Sequence, residues 1–119
     1  MTGPLTSPLS PLPSRNVEKA RLAAQEIGLE NLKVMKCDLA SFSSVRQFCH
    51  QIEKEEQKID ILINNAGVFS MERSLTEDQQ DLQFQVNHHG HFLLTNLLLH
   101  KVKAAKAGRI INVSSIAHW

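Results

Sequence analysis

The stretch that decides the fold is Ile59-Asp60-Ile61-Leu62-Ile63-Asn64-Asn65-Ala66-Gly67, an isoleucine-rich run that ends in two amides and two small residues. A short, nearly continuous apolar run of this kind is typical of a parallel strand that is buried on both faces. The small residues that follow predict a tight loop directly after the strand. Ligands of open α/β sheets bind at such carboxyl ends of strands, so this loop is the first candidate for a binding site.

Outward from this strand, helical and strand patterns alternate along the chain. The predicted elements are a helix over residues 16–27 that stops at Gly28, a strand over 32–37, a helix from 41–44 onward with the buried stripe Val45, Phe48, Cys49 and Ile52, the strand from Ile59, a helix over 76–107 opened by a Thr76–Gln79 capping box, and a strand over 109–115. Repeated strand–helix units predict an α/β fold with a doubly wound parallel sheet. Gly90, inside the long helix, costs about 1 kcal/mol relative to Ala, so we expect a packing or kinking reason for it.

The first fourteen residues differ from the rest, because they carry all four prolines of the chain. Each proline lacks a backbone donor, and the spacing excludes a helix and a central strand. We therefore predict a disordered Pro/Ser-rich tail over residues 1–14, followed by one folded domain over residues 15–119.

Composition narrows the class of protein. The 119 residues suffice for one small domain, and the net charge of +1, the low aromatic content and the absence of Tyr argue against a nucleic-acid surface. Cys37 and Cys49 are too few for a disulfide framework, and their core-facing positions predict buried, reduced thiols. No apolar run is long enough to span a bilayer and no signal peptide is evident, so we expect a soluble chain, cytoplasmic by default.

Four landmarks give this sequence a family resemblance. In order, they are Cys37-Asp38-Leu39, Asn64-Asn65-Ala66-Gly67, Val86-Asn87-His88-His89-Gly90-His91-Phe92 and Arg109-Ile110-Ile111-Asn112-Val113-Ser114-Ser115. Together they resemble the short-chain dehydrogenase/reductase family, and more narrowly its retinol dehydrogenase-like branch. The resemblance covers residues 15–119. It implies a partial Rossmann-like fold and hydride transfer between NADP and an alcohol or carbonyl substrate, of which retinoids are one class.

The resemblance assigns cofactor contacts on both sides of the first predicted helix. Asp38 matches the acidic residue beside the adenine ring, with the Leu39 amide nearby. Arg15 matches the basic residue that follows the second family strand and pairs with the NADP 2′-phosphate, a role that suits a guanidinium. From the residues alone, Arg15 can equally be a solvated first-turn residue, and Asp38 can be the cap of the next helix.

Further site residues follow from the resemblance at the other landmarks. Asn64, Ala66 and Gly67 match the wall along the adenosine ribose. Asn87 matches the helical Asn that fixes a water in the proton relay, and Ser115 matches the Ser that hydrogen-bonds the substrate oxygen and stabilises charge developing on it. Ser115 can also be an ordinary strand-end turn residue.

The histidine cluster in the long helix suggests a metal only at first sight. His88, His89 and His91 lie close together in sequence, but no Cys, Asp or Glu at matching spacing completes a ligand set. Members of the retinol dehydrogenase-like branch also carry His at positions 88 and 91 without a metal. We therefore predict core or surface histidines and no metal site.

Two family features have no counterpart in these 119 residues. The first family strand and its Gly-rich turn are missing, and so is the Tyr-x-x-x-Lys motif, since the sequence contains no Tyr. A missing proton donor alone costs typically 10²–10⁴-fold in rate, so we predict that the chain is inactive alone. With the first two strands absent, about three strands remain, and the strand at Leu32 either collapses onto the strand at Ile59 or leaves the fragment poorly folded.

The alternative function is a non-catalytic interaction module. The helix predicted over residues 76–107 matches an element that related enzymes pack against partner subunits, so the chain would form a dimer with a full-length relative. The outer residues Gln80, Gln83 and His100 are polar, which argues against this interpretation.

Overall fold

The computed structural model describes residues 10–28 and 32–116. Its elements are the strands β1 (Ser10–Ser14), β2 (Leu32–Lys36), β3 (Ile61–Asn64) and β4 (Arg109–Asn112), the helices α1 (Val17–Ile27), α2 (Phe42–Glu55), α3 (Leu82–Phe84) and α4 (Gly90–Lys103), and a π-helical turn (Gln85–His89) between α3 and α4. We call the continuous helical stretch over residues 82–103 the long helix. The chain divides into two compact units after Asp38, whereas the sequence predicted a boundary after residue 14.

In its described residues, the first unit contains a parallel strand pair and one helix. β1 pairs with β2 from Ser10 opposite Leu32 to Ser14 opposite Lys36. Helix α1 begins as predicted, because the Asn16 side chain accepts the Lys19 N–H, and it ends at Gly28, whose φ of 77° is readily available only to glycine.

Strand β1 corrects the prediction of a disordered tail over residues 10–14; residues 1–9 lie outside the described part of the chain. Pro11 and Pro13 alternate with Leu12, so their missing donors face away from β2, as proline requires at the edge of a sheet. The Ser14 carbonyl also accepts the Cys37 N–H at 2.9 Å. The expectation that the Leu32 strand has no partner, or collapses onto the Ile59 strand, was therefore wrong.

The second unit builds its core between α2 and the long helix. The apolar side chains of β3 and β4 are largely exposed, with Ile61 at 44% and Ile63 at 58%, so the expectation of a strand buried on both faces after Ile59 was wrong. The predicted stripe on α2 is confirmed, because Val45, Phe48, Cys49 and Ile52 are all buried. The long helix buries Leu94, Leu98 and Val102 as its share of this core. β3 and β4 run in register from Ile61 opposite Arg109 to Asn64 opposite Asn112. With parallel pairs and helical connections, the predicted α/β, partial Rossmann-like class is confirmed, with four strands among the described residues instead of about three.

The long helix begins later than predicted. The Thr76 hydroxyl accepts the N–H groups of Asp78 and Gln80 and so closes a turn, in which Gln79 has a φ of 59°. The helix starts only after Asp81, whose carboxylate accepts the Phe84 N–H. The Thr76–Gln79 capping box was therefore wrong, because the Thr hydroxyl is used within the turn.

Gly90 has the packing reason that the sequence predicted. A Cβ at this position would lie 2.9 Å from the Leu39 carbonyl oxygen and 3.0 Å from the Leu39 Cβ. The π-helical turn ends directly before it, and such turns often occur at functional sites. Gly90 thus allows the long helix to approach the main chain at Leu39.

Among the described residues, no helix is both long and apolar enough to cross a bilayer.

Candidate functional site

The carboxyl ends of β3 and β4 form the edge at which the sequence predicted a site. Because the two strands are parallel and in register, Asn64 and Asn112 end side by side. The loop with Ala66 and Gly67 leaves this edge from β3, and Ser115 follows three residues after the last residue of β4. The fold therefore brings the second and fourth landmarks, which carry the predicted ribose wall and the predicted substrate contact, to one edge of the β3–β4 pair.

The Asn64 side chain is buried at this edge and links its elements by hydrogen bonds. The residue is 6% exposed, and its Nδ2 donates to Thr95 Oγ1 at 2.9 Å and to Asn112 Oδ1 at 2.8 Å. Its carbonyl accepts the Val113 N–H at 3.0 Å. The Asn64 amide thus joins β3 to β4 and α4, so its contribution to a ligand wall is to fix the main chain.

Asn87 holds the loop after β3. Its Nδ2 donates to the Val68 carbonyl at 2.8 Å and its Oδ1 accepts the Val68 N–H at 2.7 Å. A Cβ at Gly67 would lie 3.2 Å from the same Oδ1, so a larger residue here would push the Asn87 side chain away from the loop. Both polar atoms of the side chain are used in these bonds, and the proton-relay role of Asn87 stays a prediction.

Two residues that the sequence analysis did not assign to the site contact the same loop. Gln83 Oε1 accepts the Ser70 N–H at 2.8 Å. His91 Nε2 lies 2.7 Å from the Ala66 carbonyl oxygen, and since a carbonyl only accepts, the ring nitrogen donates. The spacing of four residues between Gln83, Asn87 and His91, which places them on one helix face, is the signal that the sequence offered.

The Leu39 turn is fixed from the long helix by Gln85. This side chain is fully buried, at 0% exposure, and its Nε2 donates to the Leu39 carbonyl at 3.2 Å and to Asp78 Oδ2 at 2.9 Å. The Thr76 hydroxyl donates to its Oε1, which completes its hydrogen bonding. Asp78 also accepts the Phe42 N–H at 2.8 Å, where a carboxylate stabilises the start of α2.

Arg15 and Asp38 lie in the first unit, each just after the carboxyl end of a strand. Arg15 is exposed and follows β1 directly, before the cap of α1, so it is not a first-turn residue. Asp38 is half-buried and follows β2. The cap of α2 is Ser41, which accepts the Ser44 N–H, so the alternative of Asp38 as that cap is wrong.

In the second unit, the pKa values of a buried thiol and of a surface carboxyl are shifted. Burial raises the pKa of the Cys49 thiol to about 11, so the group stays protonated at neutral pH and is a poor nucleophile. Cys37 and Cys49 are both buried, as predicted, and no disulfide joins them. A hydrogen bond from His100 lowers the pKa of the Glu53 carboxyl, and Lys101 adds to this effect.

The histidines of the π-helical turn contact aromatic rings. His88 lies 5.4 Å from Phe84 and 6.4 Å from Phe92 between ring centroids, and His89 lies 4.5 Å from Phe84. Over residues 10–28 and 32–116, no group of three or more His, Cys, Asp or Glu side chains could hold a metal ion.

Comparison with known proteins gives one consistent result. The sequence model of the family described as short chain dehydrogenase matches residues 12–118. The chain is 51% identical to retinol dehydrogenase 13 of Homo sapiens over 111 residues, which are 90% of this chain and 34% of that protein. It is 55% identical to retinol dehydrogenase 14 of Mus musculus over 84 residues, 71% of this chain and 25% of the relative. The chain thus spans about a third or less of these relatives.

Solved structures agree with the sequence matches. A metagenomic short-chain oxidoreductase in complex with NADP superposes with a TM-score of 0.74 at 30% identity, over 90% of this chain and 51% of that chain. Pseudomonas aeruginosa RhlG, in an NADP active-site complex, gives a TM-score of 0.71 at 25% identity, over 90% of this chain and 44% of that chain.

Proposed function

Because this chain belongs to the short-chain dehydrogenase family, we propose that it supplies the adenosine-binding side of an NADP-dependent oxidoreductase. The reaction is hydride transfer between the cofactor and an alcohol or carbonyl group, with retinoids as the substrate class that the curated relatives' names suggest. The observation that carries the proposal is the loop after β3, whose main chain is fixed at Ala66 and Val68 by His91 and Asn87.

Each unit, taken by itself, carries residues of the kinds that the adenosine end of NADP requires. In the second unit, the Leu39 turn and the Ala66–Gly67 main chain offer fixed backbone groups, and Gly67 leaves the space that a Cβ would fill. In the first unit, the exposed Arg15 guanidinium suits a 2′-phosphate, and Asp38 provides a carboxylate for the adenine end. NADP supplies the hydride chemistry when bound.

For the reaction itself, this chain offers positioning and no proton donor of the family kind. Ser115, exposed beyond β4, is the proposed hydrogen-bond donor to the substrate oxygen, and Asn87 is the proposed relay residue. The 119 residues contain no Tyr, so we propose that the chain alone does not turn over retinal with NADPH. Measurable NADPH oxidation by the purified chain would contradict this.

The cofactor preference gives the direct test of the proposal. NADP and NAD are titrated against the chain by calorimetry, and we expect weak binding that favours NADP and that loses its preference in Arg15→Ala. The matched control is Arg21→Ala, because the Arg21 guanidinium is bound to Glu18 at 3.2 Å on the surface of α1. Equal binding of the two cofactors by the unsubstituted chain, or an equal loss in both variants, would refute the role of Arg15.

A second candidate function, an interaction module that pairs with a full-length relative, is favoured by one observation. Phe84 and Phe92 are 54% and 63% exposed, and with His88 between them they form an aromatic stripe at intervals of four on the long helix. Two polar residues that argued against an interface, Gln83 and His100, are hydrogen-bonded within the chain, to Ser70 and Glu53.

Co-expression with a full-length retinol dehydrogenase relative, followed by size-exclusion chromatography, tests this second function. We expect co-elution that is lost in Phe84→Asp and Phe92→Asp. Leu22→Asp is the control, since Leu22 is equally exposed but lies on α1. Separate elution of the unsubstituted chain would exclude the interaction module.

A further inference from the structure

Three polar side chains on one face of the long helix bind the main chain of the loop after β3 at every second residue. His91 contacts the Ala66 carbonyl, Asn87 contacts the N–H and carbonyl of Val68, and Gln83 accepts the Ser70 N–H. We call Gln83, Asn87 and His91 the clasp. The two segments run in opposite directions, since 91, 87 and 83 face 66, 68 and 70.

We propose that Gln83 and His91 are positioning residues that, together with Asn87, hold residues 66–70 in one conformation to receive the adenosine end of NADP. This inference rests on the proposed function for its ligand, while the clasp itself is a property of the chain. Neither residue is assigned to the site by the family resemblance, which marks only Asn87 on this helix face.

The alternation of the contacts determines which groups of the loop stay available. In a planar trans peptide, the carbonyl of one residue and the N–H of the next residue point in opposite directions. Since 66, 68 and 70 face the helix, the groups of Gly67 and Phe69 face away from it. The clasp therefore presents the main chain of Gly67 on the side opposite the helix, at the carboxyl edge of β3 and β4.

Gly67 shows how closely the loop is drawn to the helix. A Cβ there would lie 3.2 Å from Asn87 Oδ1, tighter than an ordinary contact. A loop held in place before binding loses less conformational entropy when a ligand arrives, so the clasp raises affinity without touching the ligand.

Residue-resolved amide hydrogen exchange by NMR tests the clasp on the full chain. We expect the Ser70 amide to exchange about five-fold faster in Gln83→Ala, the ratio that corresponds to one net hydrogen bond. In His91→Ala the Val68 amide keeps its bond to Asn87, but the loss of the Ala66 bond makes the whole loop open more often, so we expect Val68 to exchange about five-fold faster as well. His91→Gln keeps an N–H donor of similar reach and should return the Val68 rate to that of the unsubstituted chain.

His88→Ala is the matched control, because its ring contacts Phe84 and Phe92 and it contributes no bond to the clasp. Urea unfolding of each variant separates local opening from global destabilisation. Unchanged exchange in Gln83→Ala and His91→Ala, or failure of His91→Gln to restore the rate, would overturn the clasp.

The cofactor role is measured separately, by NADP titration of the same variants. We expect His91→Ala to weaken NADP binding about five-fold and His91→Gln to restore it. Equal affinity in His91→Ala and the unsubstituted chain would overturn the positioning role. If the unsubstituted chain does not respond to NADP, the proposed function and the cofactor role both fail, while the exchange rates still decide the clasp.

Discussion

Replacement of Gly90 by Ala tests the contact between the long helix and the Leu39 turn. Two effects oppose each other at this position. Ala in place of Gly in a helix interior stabilises by about 1 kcal/mol. The added Cβ, however, would lie 2.9 Å from the Leu39 carbonyl oxygen, 3.0 Å from the Leu39 Cβ and 3.1 Å from the Gln85 carbonyl oxygen.

The magnitude follows from which neighbours can move. Two of the three contacts are main-chain oxygens, and the Leu39 oxygen also accepts a bond from the buried Gln85 side chain, so relief requires a backbone shift. Overpacking of this kind costs typically 1–3 kcal/mol. Because relief requires a backbone shift, the cost lies in the upper half of this range, and we expect Gly90→Ala to lower the free energy of unfolding by about 1–2 kcal/mol after the helix propensity is subtracted.

Urea unfolding followed by circular dichroism measures this change, with Asn96→Ala as the control. Asn96 is exposed on the same helix and bonds only the Phe92 carbonyl in its own helix, so its replacement reports helix propensity without a clash. A Gly90→Ala variant that is as stable as the unsubstituted chain, or more stable, would refute the argument that this glycine is required by packing.

Two further predictions concern buried amides and surface charge. Asn64→Ala removes two hydrogen bonds made by a buried amide, to Thr95 and Asn112, so we expect a loss of about 1–3 kcal/mol by urea unfolding; a loss below that of a typical surface substitution would contradict the role given to this amide. The Glu53 carboxyl has a pKa lowered from 4.5 by its bond with His100, so its stabilising contribution is present above pH 4.5 and is lost as the pH falls through the lowered value. Glu53→Gln should flatten the acidic limb of a stability–pH profile, and an unchanged limb would show that the pair does not contribute.

Local patterns in the sequence predicted the helices of this chain well. The stripe on α2 repeats at helical spacing behind a Ser N-cap, and the structure buries all four of its members. Gly28 ends α1 with a positive φ that is costly for other residues, so the glycine itself was a sufficient signal for the end of the helix. The packing requirement at Gly90 was also predicted, because a glycine inside an apolar helix needs a reason.

Strand β1 and the start of the long helix were missed for different physical reasons. Prolines at 11 and 13 suggest disorder, yet their alternation places both missing donors on the side away from β2. At Thr76 the capping pattern was present, but the hydroxyl bonds a turn and Asp81 caps the helix instead. Competing caps within six residues cannot be ranked without tertiary contacts.

The site was predicted in its residues but not in its bonds. The resemblance identified Asn64 and Asn87, while the structure shows that both side chains bind protein groups and so shape the main chain of the site. The sequence predicted His91 to be an ordinary core or surface histidine and Gln83 to be an outer residue of the long helix. Their contacts join a helix to a loop whose path depends on the whole second unit, and no local pattern encodes that path.

The central claim is that the carboxyl edge of β3 and β4, shaped by the long helix, receives the adenosine end of NADP. Its most direct test is an NMR titration of the ¹⁵N-labelled chain with NADP, followed through the backbone amides of residues 39 and 66–70. We predict shifts that concentrate at Leu39, Ala66 and Gly67. Shifts confined to the stripe of Phe84, His88 and Phe92, or no shifts at all, would contradict the claim.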